Sequence, residues 1–231
     1  MNQQTAIRHT RLTTPRAAAV AGILFAAFFI ASVGLMRLAI PEEVTATNTD
    51  DWLRHSADTV GFALTLVPFA GIAFLWFMGV VRAHLGRLED QFFSTVFYGS
   101  GVLFLAMIFC SSALAGGLVS AYALAPELLD DGDVITFART VIYTITNIYA
   151  IRMAGVFMLS LGTVWLRTRA MPRRFVYLTY LLALVLLIAI NLSLWMIMIF
   201  PLWVLAVSLY ILVVSLRGKT ATDENGIGGV G

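Results

Sequence analysis

Long apolar runs separated by short charged connections constrain this chain more than any other feature. Inside a bilayer every backbone N–H and C=O must find its partner within the crossing segment, so about 20 consecutive apolar residues read as a helix spanning the roughly 30 Å hydrocarbon core. The first run is Ala17–Ile40, entered after Pro15-Arg16 and closed by Pro41-Glu42-Glu43. A second extends from about Val60 to Val81, a third from about Phe93 to Leu124 and a fourth from about Val134 to Leu166. The last stretch, Phe175–Leu216, is too long for one crossing at a rise of about 1.5 Å per residue. The polar step Asn191-Leu192-Ser193 is where it folds into two spans, 175–191 and 194–216. The expected fold class is all-α: a polytopic membrane protein, a six-transmembrane-helix antiparallel bundle. It forms one domain, 17–216, between an N-terminal tail, 1–16, and a flexible C-terminal tail, 217–231.

Composition narrows the function classes. Apolar residues make up 60% of the chain and charged ones 12%, against about a quarter charged in soluble domains. That balance excludes a soluble globular enzyme and a disordered scaffold. A net charge of +2 with dispersed arginines excludes nucleic acid as a partner. The single cysteine, Cys110, lies in an apolar run and cannot form an internal disulfide or a cysteine-based zinc site.

Charge placement sets the orientation. Arg8, Arg11 and Arg16 precede the first span; Arg82 and Arg87 follow the second; Arg167, Arg169, Arg173 and Arg174 follow the fourth; Arg217 and Lys219 follow the last. All of these fall on one side of a six-span bundle. Glu42, Glu43, Asp50, Asp51, Asp58, Glu127, Asp130, Asp131 and Asp133 fall on the other. Basic connections stay in the cytoplasm, so both termini are expected inside, in a plasma-membrane protein. Trp76, Trp165, Tyr177, Tyr180 and Tyr210 sit near the inner arginines, and Trp52 and Trp195 near the outer face, as interfacial aromatic belts do. The first run exceeds the usual 7–15 residues of a signal core and no good cleavage site follows, so it reads as a retained helix. Asp50–Asp58 suggests a short interfacial helix capped by Asp50.

Three stretches carry a family resemblance. They are Phe74-Leu-Trp-Phe-Met-Gly-Val-Val-Arg82 with Leu85–Gly101, Ile151–Ser160 with Trp165–Arg173, and Phe200-Pro-Leu-Trp-Val-Leu-Ala-Val-Ser-Leu-Tyr210. Together they resemble an uncharacterised group of six-span bacterial membrane proteins of actinobacterial type, over roughly Thr49 to Leu212. The resemblance implies the six-span topology and brings no activity, substrate or cofactor.

An ionisable side chain inside a bilayer is a candidate functional group by default. Arg152 is the clear case, about 14 residues or roughly 21 Å from Leu166 at the inner edge. Helical side chains lean toward the N-terminus, here outward, past Tyr149 and Ile148. No acid lies in any apolar core. One reading is an outward-facing cavity that holds an anionic ligand with Arg152 as the fixed charge. Arg37 and Arg139 would join it, and Asn147, Tyr143, Tyr149 and Asn191 would supply hydrogen bonds. The other is a structural arginine satisfied by carbonyls and tyrosines, or snorkelling to the interface, with Arg37 and Arg139 as interfacial anchors.

Elsewhere the polar residues read as packing. Thr140, Thr144 and Asn147 form a stripe about 140° around the helix from Arg152, suited to hydrogen bonds with neighbouring helices. Gly99, Ala106, Cys110, Ala113, Gly117 and Ala121 form a small-residue face on the third span, expected to be its packing seam. Pro68 with Gly71, and Pro201, mark expected kinks. Ser100 in Gly99-Ser-Gly101 has no intramembrane histidine to activate it, because His9, His55 and His84 fall in tails and connections. No catalytic set, metal site or cofactor is therefore expected. The chain reads as a non-enzymatic membrane protein that binds a lipidic or amphipathic anion or serves as an accessory subunit. Its expected partners are membrane lipids and other membrane subunits or further copies of itself. The alternative is a small-solute transporter with its cavity near Arg152.

Overall fold

The computed structural model describes residues 15–39, 49–85, 91–124, 133–188 and 194–227. Among them the protein is all-helical. Helices α1 (Pro15–Ala39), α2 (Thr49–Leu85) and α3 (Gln91–Leu124) come first. Next, α4 (Asp133–Thr144) runs through a π-helical turn (Ile145–Ala150) into α5 (Ile151–Thr168). After a tight turn come α6 (Arg173–Ile188), a 3-10 turn (Leu194–Met198) and α7 (Ile199–Ile227). Five stretches are long and apolar enough to cross a membrane: Arg16–Arg37, Asp58–Arg82, Phe92–Ala121, Asp133–Thr168 and Met196–Arg217. The described part of α6, sixteen residues, covers about 24 Å at 1.5 Å per residue.

Neighbouring helices run antiparallel. Ser32 Oγ, late in α1, donates to Ala63 O, early in α2, at 2.8 Å. α1 packs between α2 and α7, and α5 packs between α3 and α6. α7 closes the bundle against α6, where Trp203 Nε1 donates to Thr179 Oγ1 at 3.0 Å.

The centre is built from rings. Phe25, Phe74, Phe104, Phe157 and Phe200, one each from α1, α2, α3, α5 and α7, are all buried. Their centroids lie 4.7 Å apart for Phe25 and Phe74, 5.3 Å for Phe74 and Phe157, and 4.7 Å for Phe104 and Phe200. Outward faces are also apolar, carrying Val20, Leu24, Phe62, Phe69, Ile72 and Trp76 among others. Apolar residues thus cover the outside of the bundle as well as its core. Gly22 shows how close that packing is: a Cβ there would collide with the Ser208 hydroxyl on α7 and, at 2.9 Å, with the Phe77 ring on α2.

Several expectations change in detail. α2 is one helix from Thr49, so Asp50–Asp58 is its first part rather than a separate interfacial helix. Pro68 lies within α2, and Pro201 lies in the first turn of α7, just after the 3-10 turn. α7 continues to Ile227, through residues expected to form a tail. The largest correction concerns α3. Cys110, Ala113 and Gly117 are exposed, and nothing approaches a Cβ built at Gly99 or Gly117. The seam within the chain is instead Phe97, Ser100, Gly101, Phe104, Ile108 and Ser111, with Gly101 set against Met78 and Phe157. The seam thus combines large rings with the small residues Ser100, Gly101 and Ser111.

Candidate functional site

Arg152 stands near the midpoint of the 36 residues Asp133–Thr168, two residues after the π turn. It is half-buried. Its Nη1 donates to Ile148 O, one turn back, at 3.2 Å. One turn away from it along α5, Gly155 meets α6 at close range: a Cβ there would lie 2.9 Å from Leu187 Cγ and 3.1 Å from Ala183 O. On that register Arg152 is level with Ile188, the last described residue of α6.

Polar side chains surround the π turn. Asn147 Nδ2 donates to Tyr143 O at 3.2 Å, and Ser111 Oγ and Thr146 Oγ1 lie 2.6 Å apart between α3 and the turn. Asn147 and Arg152 each donate to the carbonyl four residues back. Widened turns of this kind recur at functional sites. The expected threonine stripe is rearranged by it. Thr140 donates to Thr136 O within its own helix at 2.8 Å, and Thr146 is the residue that reaches across.

The other candidates are placed unevenly. Tyr143 and Asn147 are half-buried and joined to each other; Tyr149 is 55% exposed and faces outward; Arg139 is exposed on α4, which buries none of its residues. Arg37 is half-buried in the last turn of α1. Since α1 packs against α2 and α7 rather than α4, the fold does not bring Arg37 to the Arg152 group through its main contacts. Asn191 lies outside the described residues. Among the described residues no three His, Cys, Asp or Glu side chains gather as metal ligands.

Sequence reading missed a cavity at the other end. It measures about 340 Å³ and is lined by Trp165, Leu166, Arg169, Met171, Pro172 and Arg173, at the turn joining α5 to α6. The arginines of this connection were visible as an orientation signal, but only the folded turn sets two of them over a tryptophan.

The class of protein these observations define is an all-helical chain with five helices long and apolar enough to cross a membrane. Comparison with protein-family models, curated proteins and solved structures returns no match.

Proposed function

We propose that this chain is a non-enzymatic, six-span protein of the plasma membrane with both termini in the cytoplasm, and that it holds an anionic amphipathic ligand against Arg152. The observation that carries the reading is Arg152 itself. A guanidinium offers five N–H donors, and among the described residues this one donates a single bond, to Ile148 O at 3.2 Å. A half-buried cation at mid-span with most of its donors uncommitted is suited to a phosphate or carboxylate group entering from the outer side beside Tyr149. The segregation of arginine to one end of the helices supports the orientation. The resemblance to six-span bacterial membrane proteins supports counting α6 and its continuation as a span.

Native mass spectrometry of gently extracted protein tests the ligand. The wild type is expected to retain a small anionic amphiphile that Arg152→Ala loses, with Arg152→Lys intermediate because it keeps the charge without the planar fork. Equal retention by all three forms refutes the site. Fixed protein partners in the same spectra would instead mark an accessory subunit, and solute uptake by reconstituted liposomes a carrier. Orientation is read separately, with Cys110→Ser as background: Asn48→Cys is expected to react with a membrane-impermeant maleimide added outside intact cells.

A further inference from the structure

We infer that the turn between α5 and α6 is a second anion site, which takes the phosphate of an anionic phospholipid from the inner leaflet. The inference goes beyond the Arg152 reading, lies at the opposite end of α5 and stands or falls independently of it.

The floor of the cavity is apolar and fixed. Trp165 and Met171 are buried. The Trp165 ring is held between Phe175, centroids 6.1 Å apart, and Trp203, 5.7 Å apart. Trp203 is tied in turn to Thr179. The rim is cationic. Arg169 and Arg173 line the opening and are exposed, and Arg174 is exposed beside them. A rigid aromatic floor under mobile guanidinium groups suits a phosphodiester, because arginine presents planar donors that match two phosphate oxygens at once.

The start of α6 also favours an anion here. α6 begins with Arg173 and Arg174 and has no acid in its first turn, so two cations sit at the positive pole of a helix, where negative charge is preferred. The amides of Phe175 and Val176 donate back to Pro172 O, at 2.9 and 3.2 Å, and so fix the turn. Finally, Arg169 holds φ 54° and ψ 28° at the C-terminus of α5, a left-handed position that glycine usually occupies.

The lipid source, rather than a free phosphate, is indicated by what lies beyond the rim. From Arg173 an exposed stripe continues through Tyr177, Leu181, Leu184 and Ile188 along one side of α6. A headgroup in the cavity would have its acyl chains beside that stripe, with Tyr177 at the headgroup level where tyrosine is enriched. Basic pockets between membrane helices on the cytoplasmic side have this chemistry in general.

The test titrates detergent-solubilised full-length protein with dioleoylphosphatidylglycerol, dioleoylphosphatidylcholine or glycerol 1-phosphate, and counts adducts by native mass spectrometry. Wild type is expected to bind one phosphatidylglycerol in preference to phosphatidylcholine. Arg169→Gln with Arg173→Gln should weaken that adduct roughly tenfold or more, the scale of losing charge-assisted bonds. Arg16→Gln should leave it unchanged. Arg169→Gly separates binding from folding, since it relieves the left-handed backbone: its melting temperature should not fall while its phosphatidylglycerol adduct weakens. Equal binding of the two phospholipids, or full retention by the double variant, overturns the site. Competition by glycerol 1-phosphate as effective as by the lipid overturns the assignment to a lipid.

Discussion

Phe74 is the ring on which the bundle closes, and replacing it with alanine is the sharpest test of how the helices hold together. Its centroid lies 4.7 Å from Phe25, 5.3 Å from Phe157, 5.5 Å from Phe200, 5.7 Å from Phe104 and 6.2 Å from Phe77. Phe74→Ala leaves the space of a benzyl group, about 100 Å³, and at roughly 24 cal/mol per Å³ of unfilled cavity that is about 2.4 kcal/mol. Lost ring pairs add to this at about 0.5–1.5 kcal/mol each, though they are not additive around one shared residue. The usual transfer gain is small here, because the separated helix faces lipid instead of water. The expected loss is therefore about 3–4 kcal/mol, near the range seen for buried phenylalanines generally. The control is Phe62→Ala, on the same helix but 60% exposed, where the change should stay within about 0.5 kcal/mol. Equilibrium unfolding in mixed micelles, followed by circular dichroism against the mole fraction of sodium dodecyl sulfate, reads both. Equal losses at the two positions would refute the idea that the ring cluster binds the helices.

Three further outcomes are expected. Gly155→Ala puts a methyl group against Leu187 Cγ and Ala183 O and should cost about 1–3 kcal/mol as overpacking, while Gly34→Ala, with nothing within 4 Å, should cost nothing in the same unfolding assay. Trp203→Phe removes the donor to Thr179 Oγ1 and should lower stability by about 0.6–1.7 kcal/mol, the measured span for hydrogen bonds between membrane helices. Ser32→Ala removes the bond to Ala63 O; because that carbonyl stays in its own helix ladder, the loss should fall at the lower end, about 0.6 kcal/mol, in a melt read by circular dichroism.

What could be read from the sequence and what could not divides along a physical line. Crossing segments are legible because lipid leaves backbone polar groups no other partner, and Arg152 stands out because a charge in an apolar run is costly. The faces of α3 are not legible. A helix apolar all round gives periodicity little to report, and Ala113 and Gly117 can face outward while Phe104 and Ile108 face inward with no change in the pattern a sequence displays. The π turn is hidden for a related reason. Its polar contacts, from Thr146 to Ser111 and from Asn147 to Tyr143 O, are set by the folded arrangement of α3 and α4. The cavity at the α5–α6 turn was beyond reach because its floor comes from residues that only the fold assembles, Trp165 against Trp203 of the last helix.

The ring cluster draws one member from each of five helices, and the final one, Phe200, arrives with α7. If the chain is threaded into a bilayer as proposed, its earlier segments can enter in turn, each stable there through its own backbone bonds. Phe25, Phe74, Phe104 and Phe157 would then wait for Phe200 before the cluster closes, so that insertion is gradual and locking a single late event.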